Sequence, residues 1–129
     1  MNKEFVTYEQ ALSLKELGFD EPCFSIYYSK NKSFSWHHHK DHTNDEPMLD
    51  NGEFNISAPL KQQVFRWFRD KYDLWFRPDY YDEMREYDYQ GSIHQLGRYS
   101  SLASLDNCKT VEELEAKCID KLIEIVKNK

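Results

Sequence analysis

The sequence lacks any apolar run approaching the roughly 20 residues that a helix needs to cross a bilayer. Its 129 residues contain four Gly and four Pro, with no evident repeat or low-complexity tract. The three cysteines, Cys23, Cys108 and Cys118, are widely spaced and form no CxxC pair, which argues against a disulfide framework or a zinc knuckle. We therefore predict no membrane segment and expect buried thiols in a reducing cytoplasm.

Aromatic residues are abundant, reaching 16% with nine Tyr, eight Phe and three Trp, so rings must supply much of the buried area. The net charge of -6 repels phosphate backbones, which disfavours nucleic-acid binding and favours a basic protein partner. A chain of this length is typical of one domain. We predict a single domain over residues 1–129, as a monomer or a homodimer.

Two segments with helical apolar spacing begin at capping boxes, in which Thr is followed three residues later by Glu or Gln. The first box, Thr7 with Gln10, predicts a helix that ends at Gly18. The second box, Thr110 with Glu113, predicts a long helix at the C-terminal end of the sequence. A middle helix is predicted from the run SAPLKQQVFRWFRDKY at 57–72.

In that middle helix, Ser57 is predicted to cap the first turn, where Pro59 is tolerated because no amide donor is needed. Its apolar residues recur at i, i+4, i+7 and i+8, which predicts one stripe that faces a core. The members of this stripe are Leu60, Val64, Trp67 and Phe68.

Four strands are predicted from alternation and turn residues. They are a strand over Cys23 to Tyr28, its hairpin partner near 32–37, an edge strand over 74–77 that Pro78 stops, and a strand that begins at Glu86 with a bulge at Gly91. Between them, residues 38–55 hold turn formers and few apolar residues, which predicts a long loop. The order α-β-β-α-β-β-α favours an α+β fold, a two-layer domain in which three helices pack on a mainly antiparallel sheet.

Three segments together resemble a family of small proteins encoded by phages and prophages of gut bacteria. The matching motifs are YExAxxLKELGF within 5–24, APLxQQVxxWFRxK within 58–72 and EELExxxxxKLIEIVK within 111–127. The resemblance implies a viral or mobile-element origin and a bacterial cytoplasm. It brings no catalytic residue and no cofactor.

A histidine run supplies the candidate metal ligands. Imidazole and carboxylate groups bind Zn, Ni or Cu ions, and the candidate set is His37, His39, His42 and Asp45. A structural zinc site needs four spaced ligands held by further hydrogen bonds, which a contiguous run in a loop provides poorly. We therefore expect no physiological cofactor, and any Zn or Ni bound to this run is expected to be adventitious.

Exposed rings form the candidate interaction surface. Tyr and Trp give large contact areas at low entropic cost and are enriched at interface hot spots. The candidate residues are Trp75, Tyr80, Tyr81, Tyr87 and Tyr89, and the acidic residues beside them, Asp79, Asp82, Glu83, Glu86 and Asp88, suit a basic partner. The same rings could instead fill the core between sheet and helices.

Two functions remain open on the sequence alone. The first is a non-enzymatic accessory protein of phage type that binds another protein, with no catalytic residues. The second is a metal-dependent or His/Asp-based hydrolase centred on 37–45, or one that uses His94 with Asp88 and Ser92. Because no nucleophile elbow or HExxH helix is present, the first is preferred.

Overall fold

The computed structural model describes residues 3–36, 41–46, 53–80, 89–98 and 100–128. It confirms an α+β fold, with three helices and two three-stranded antiparallel sheets in this part of the chain. None of the described helices is long and apolar enough to cross a membrane. The elements are α1 (Tyr8–Glu16), β1 (Ser25–Tyr28), β2 (Phe34–Trp36), β3 (Asn55–Ser57), α2 (Lys61–Tyr72), β4 (Leu74–Tyr80), β5 (Tyr89–Gln95), β6 (Ala103–Cys108) and α3 (Val111–Lys127).

The chain forms two compact units, 1–60 and 61–129, which are described separately. The first unit contains α1 and a sheet of order β2-β1-β3, and the second contains α2, α3 and a sheet of order β4-β5-β6. Two of the six described strands, β3 and β6, were not predicted from the sequence. A single domain over 1–129 remains a prediction.

In the first unit, α1 is terminated at both ends as its sequence predicts. The hydroxyl of Thr7 accepts from the backbone N–H of Gln10 at 3.2 Å, and the Gln10 side chain accepts from the Thr7 N–H at 3.0 Å. At the other end, Gly18 has a φ of +94°, and the N–H of Phe19 donates to the Leu14 carbonyl at 2.9 Å. This left-handed turn returns the buried Phe19 ring towards the helix and ends it.

The first sheet is built around β1, which pairs with β2 in the predicted hairpin and with β3 on its other side. β1 begins at Ser25, two residues later than predicted, because Cys23 instead forms an isolated bridge with His42. Both faces of β1 are buried, since the buried Ile26 lies on one face and the buried Ser25 and Tyr27 lie on the other, where both form hydrogen bonds. The Tyr27 hydroxyl donates to the Val6 carbonyl at 2.6 Å, and the Ser25 hydroxyl donates to the Ala58 carbonyl at 2.8 Å.

The predicted cap at Ser57 is wrong, because this residue lies in β3 and α2 begins four positions later, at Lys61. Ser57 is fully buried, and its Oγ lies 2.7 Å from Nδ1 of His42. An N-cap residue has extended backbone angles, as a strand residue does, so the same Ser-x-Pro pattern suits both positions. The predicted stripe is confirmed at Val64, Trp67 and Phe68, which are all buried.

In the second unit, β4 lies at the edge of its sheet, as predicted, but Pro78 does not stop it. β4 continues to Tyr80, with Pro78 opposite Gly91 on β5. The N–H of Leu96 donates to the Asp73 carbonyl, so Asp73 and Leu96 form a hydrogen-bonded pair. In an antiparallel ladder such pairs alternate with pairs that are not hydrogen-bonded, and Pro78 with Gly91 is one of the latter. An N–H at position 78 would therefore point away from β5, towards the open edge of the sheet, so its absence in proline costs no hydrogen bond between β4 and β5.

One face of this second sheet packs under the two helices. α2 contacts β4, while α3 contacts β5 and β6. The predicted irregularity at Gly91 is confirmed, because the β5–β6 register shifts between Tyr89 and Gly91. The buried residues of this unit are mostly apolar and come from all of these layers: Val64, Trp67, Phe68, Leu74, Ile93, Cys108, Leu114, Cys118, Ile119, Leu122 and Ile123.

The start of α3 differs slightly from the predicted capping box. Thr110 accepts from the Glu113 N–H at 3.0 Å as expected, but the Glu113 carboxylate accepts from the N–H of Lys109 at 2.8 Å. That backbone bond and Lys117 lower the pKa of Glu113. The three cysteines are free and buried as predicted, and desolvation raises the pKa of the Cys118 thiol.

Candidate functional site

The register of β4 on β5 places a row of polar and aromatic side chains on the face opposite the helices. Trp75 lies across from His94, and Arg77 lies across from Ser92. Because neighbours along a strand point to opposite faces, these four residues share one face while Leu74, Phe76 and Ile93 share the buried one. Trp75 is 44% exposed, so this face meets solvent at its largest ring.

Arg69 and Arg98 lie near the Trp75 ring, which at this edge strand also lines a cleft beside α2. The guanidinium carbon of Arg69, on α2, lies 5.1 Å from the ring centroid, a cation–π distance. The turn after β5, in which Gly97 has a φ of +88°, brings Leu96 and Arg98 to a shallow depression that Trp75 also lines. Leu96 is 71% exposed, so Trp75 and Leu96 together form an exposed apolar area. We call Trp75, Leu96, Arg69, Arg77 and Arg98 the Trp75 surface.

Two carboxylates lie near this surface, and both have partners. Asp79 is 3.6 Å from Nε of Arg77, and Glu115 accepts from the Gln62 amide at 2.6 Å. Within the described part of the chain, no carboxylate forms an ion pair with Arg69 or Arg98. Because the Gln62 amide is neutral, its hydrogen bond does not balance the charge of Glu115, and the three arginines of the Trp75 surface exceed these two carboxylates by one positive charge.

Beside the Trp75 surface lies a polar depression of about 460 Å³ that spans the three strands. Within it, Oγ of Ser92 lies 2.7 Å from Nε2 of His94. A serine hydroxyl bonded to an imidazole is the pairing that nucleophilic catalysis uses. The side chains that line this depression are Arg77, Asp79, Gln90, Ser92, His94, Ser101, Ser104, Leu105 and Asp106.

Of the predicted aromatic set, the two members with described side chains, Trp75 and Tyr89, lie on opposite faces of the sheet. Trp75 is exposed, whereas Tyr89 is half-buried and alternates onto the buried face with Ile93. The backbone of Tyr80 pairs with Tyr89 at the far end of the strands, about 17 Å from Trp75 at the usual strand rise. Tyr81 and Tyr87 lie outside the described residues, as do four of the five acidic residues predicted to flank the set.

The candidate metal ligands are only partly described, since His37 and His39 lie outside the described residues. His42 is buried, with Nδ1 at the Ser57 hydroxyl and Nε2 3.8 Å from the Glu46 carboxylate. The exposed Asp45 carboxylate accepts from the Thr43 hydroxyl. Among the described residues, no three His, Cys, Asp or Glu side chains are placed to hold a metal ion. In the described part of the loop at 38–55, His42 and Asp45 are instead hydrogen-bonded to Ser57 and Thr43.

A second exposed aromatic group, which was not predicted from the sequence, lies in the first unit. Phe24 and Trp36 stack with centroids 5.5 Å apart and planes within 3°, and both rings contact the buried Phe5 edge-on. Trp36 is 49% exposed. Phe24 lies before β1 begins, so the alternation of that strand does not determine which side its ring occupies.

Comparison of the chain with protein-family models, curated proteins and solved structures finds no match. Functional assignment therefore depends on the chemistry of the chain's own surfaces. The Trp75 surface and the Ser92 and His94 pair are the two arrangements on which a function can be based.

Proposed function

We propose that this protein is a non-enzymatic accessory protein of phage or prophage type that binds another protein through the Trp75 surface. The observation that carries the proposal is a half-exposed tryptophan on a hydrogen-bonded sheet, with Arg69 at a cation–π distance and Arg98 lining the same depression. Trp and Arg are the residue types most enriched at interface hot spots. The resemblance of three segments to phage-encoded proteins supports the biological setting, a bacterial cytoplasm.

The Trp75 ring is held in place before any partner arrives. Its backbone is paired with His94 near one end of an antiparallel ladder, and the Arg69 guanidinium carbon lies 5.1 Å from the ring centroid. A side chain that is already ordered loses little rotamer freedom on binding, so more of its contact energy appears as affinity. Trp75 is preferred to the Phe24 and Trp36 pair because it is bordered both by the exposed Leu96 and by arginine side chains.

The proposal can be tested by site-specific photocrosslinking of the full chain in bacterial lysate. A benzophenone amino acid at Leu96, beside Trp75, is expected to form one dominant adduct with a protein. Replacing Trp75 with Ala in the same chain is expected to weaken binding by about tenfold or more and so abolish that adduct. Mass spectrometry of the adduct identifies what has been captured.

The matched control uses the other exposed tryptophan. Trp36→Ala removes a ring of similar exposure from the first unit and is expected to leave the adduct at position 96 unchanged. A benzophenone at the exposed turn residue Ser33 is expected not to give the same adduct. Capture of nucleic acid alone, or an adduct that survives Trp75→Ala, would refute the proposal.

The Ser92 and His94 pair favours hydrolysis as the second candidate. As Ser92 Oγ attacks an ester carbonyl, Nε2 of His94 accepts the hydroxyl proton and returns it to the departing alcohol, and water then releases the acyl group by the same route. Arg77, which lies across from Ser92, would face the developing oxyanion. The hydrolase centred on 37–45 remains a prediction; of its described members, His42 is hydrogen-bonded to Ser57 and Asp45 to Thr43.

A chromogenic ester assay distinguishes the two candidates. If the second holds, p-nitrophenyl acetate hydrolysis above the buffer rate should fall by about 10²-fold or more in both Ser92→Ala and His94→Ala. Ser104→Ala, which alters an exposed serine of the same depression, should retain the activity. Absence of activity in the unmodified chain, or equal activity in Ser92→Ala, would exclude this candidate.

A further inference from the structure

We infer that the partner of the Trp75 surface presents an acidic peptide segment with one bulky apolar side chain. This inference rests on the proposed function and specifies the chemistry of the partner. Its basis is the combination, at one place, of two guanidinium groups that form no ion pair among the described residues, an exposed apolar area and a cleft between α2 and β4.

The arginines of the Trp75 surface can bind carboxylates of a partner. In the described part of the chain, Arg69 and Arg98 form no ion pair, and their guanidinium groups can each take a carboxylate in a two-pronged bond. Arg77 and Asp79 are joined at 3.6 Å, but their side chains are 71% and 41% exposed. An exposed pair of this kind contributes little, so Arg77 can exchange Asp79 for a carboxylate of the partner at small cost.

The cleft between α2 and β4 can accept an apolar side chain of the partner. It has a volume of about 240 Å³; its apolar lining comes from Trp75, Phe65, Phe76 and Pro78, and its polar lining comes from Gln62, Arg69 and Glu115. Small-molecule pockets measure roughly 300–1,000 Å³, so this cleft suits a single side chain better than a whole ligand. The Phe65 and Phe76 rings pack at 4.9 Å, which gives the incoming side chain a firm apolar floor.

The sign of the inferred partner is opposite to the one predicted from composition. The basic partner was predicted from the net charge and from acidic residues near 79–88, of which Asp79 alone is described and lies against Arg77. Fields of exposed charges are screened beyond about 8 Å at physiological salt. Contact affinity at Trp75 is therefore governed by the charges close to it, in which three arginines outnumber Asp79 and Glu115, rather than by the total charge of -6.

A random peptide library displayed on particles, selected against the whole immobilised chain, reads the preferred chemistry directly. The selected peptides are expected to place Asp or Glu on both sides of a Leu, Phe or Trp residue. In fluorescence anisotropy, their affinity is expected to fall about tenfold for Trp75→Ala and for Arg98→Glu. It is also expected to weaken as NaCl is added, because screening reduces charge attraction.

Two control variants accompany the selection. Lys3→Glu makes the same charge change as Arg98→Glu at an exposed site of the first unit, and Trp36→Ala removes the other exposed indole. Both are expected to leave the peptide affinity within about twofold. Peptides that are basic or uncharged but depend on Trp75 would overturn the acidic-partner inference and leave the binding function standing. Peptides that bind Trp75→Ala as well as the unmodified chain would overturn both.

Discussion

Replacing Trp67 with Ala is expected to lower the free energy of unfolding by about 3–5 kcal/mol, the range for truncating a buried aromatic ring. Trp67 is only 4% exposed. Its indole packs edge-on against Phe68 at 5.0 Å and Tyr72 at 5.5 Å, so the deletion removes buried area and leaves a cavity beside two rings. Since whole domains are stable by about 5–15 kcal/mol, this single change is expected to bring the protein close to unfolding.

Urea denaturation followed by circular dichroism measures the effect without depending on the deleted fluorophore. The matched control is Trp75→Ala, which removes the same side chain from a solvent-exposed position of the same unit. We expect that variant to lose less than about 1 kcal/mol. Equal losses in the two variants would mean that the apolar stripe of α2 does not face the core.

Replacing Gly91 with Ala is expected to cost about 1–3 kcal/mol, as overpacking of a core does. A Cβ at this position would lie 2.7 Å from Cε1 of Phe76 and 3.1 Å from the Arg77 carbonyl oxygen. Phe76 cannot move away freely, because its ring packs at 4.9 Å against Phe65. The gain of about 0.4–1 kcal/mol from reduced freedom of the unfolded chain is smaller than this steric cost.

A double-mutant cycle identifies the cause of the Gly91 effect. If Phe76 is the obstacle, Gly91→Ala should cost less in a Phe76→Leu background than in the unmodified chain, with a coupling of about 0.5 kcal/mol or more. Gly97→Ala serves as the comparison, since no atom lies within 4 Å of its added Cβ and only the φ of +88° opposes it. A Gly91→Ala chain as stable as the unmodified one would show that β4 and β5 are not packed as described.

The helix signals were readable from the sequence because they act over a few residues. The capping box of α1, the left-handed Gly18 and the apolar stripe of α2 all follow from contacts within about two turns. The misread residue, Ser57, has its partners far along the chain, at His42 and Asn44. Local pattern alone does not separate a capping serine from a strand serine bonded to a distant histidine.

The strands and the candidate site were harder to predict. β3 has three residues, and β6 has the sequence ASLDNC with little apolar alternation, so pairing with neighbours defines both more than composition does. Trp75 lies between Leu74 and Phe76 in β4, so strand alternation places it on the face opposite these two residues. This assignment follows once β4 is known to continue through Pro78. The cluster of Arg69, Arg77 and Arg98 draws on a helix, a strand and a turn, which only the folded chain brings together.

Pro78 has a further consequence for copies of this chain at high concentration. An edge strand normally offers a line of amide hydrogens and carbonyl oxygens on which another strand can build, and continued addition leads to aggregates. Pro78 interrupts that line near the middle of β4, because it presents no hydrogen where the next strand would need one. Pro78 thus costs the sheet no internal hydrogen bond, and it helps to prevent β4 of one molecule from pairing with a strand of another.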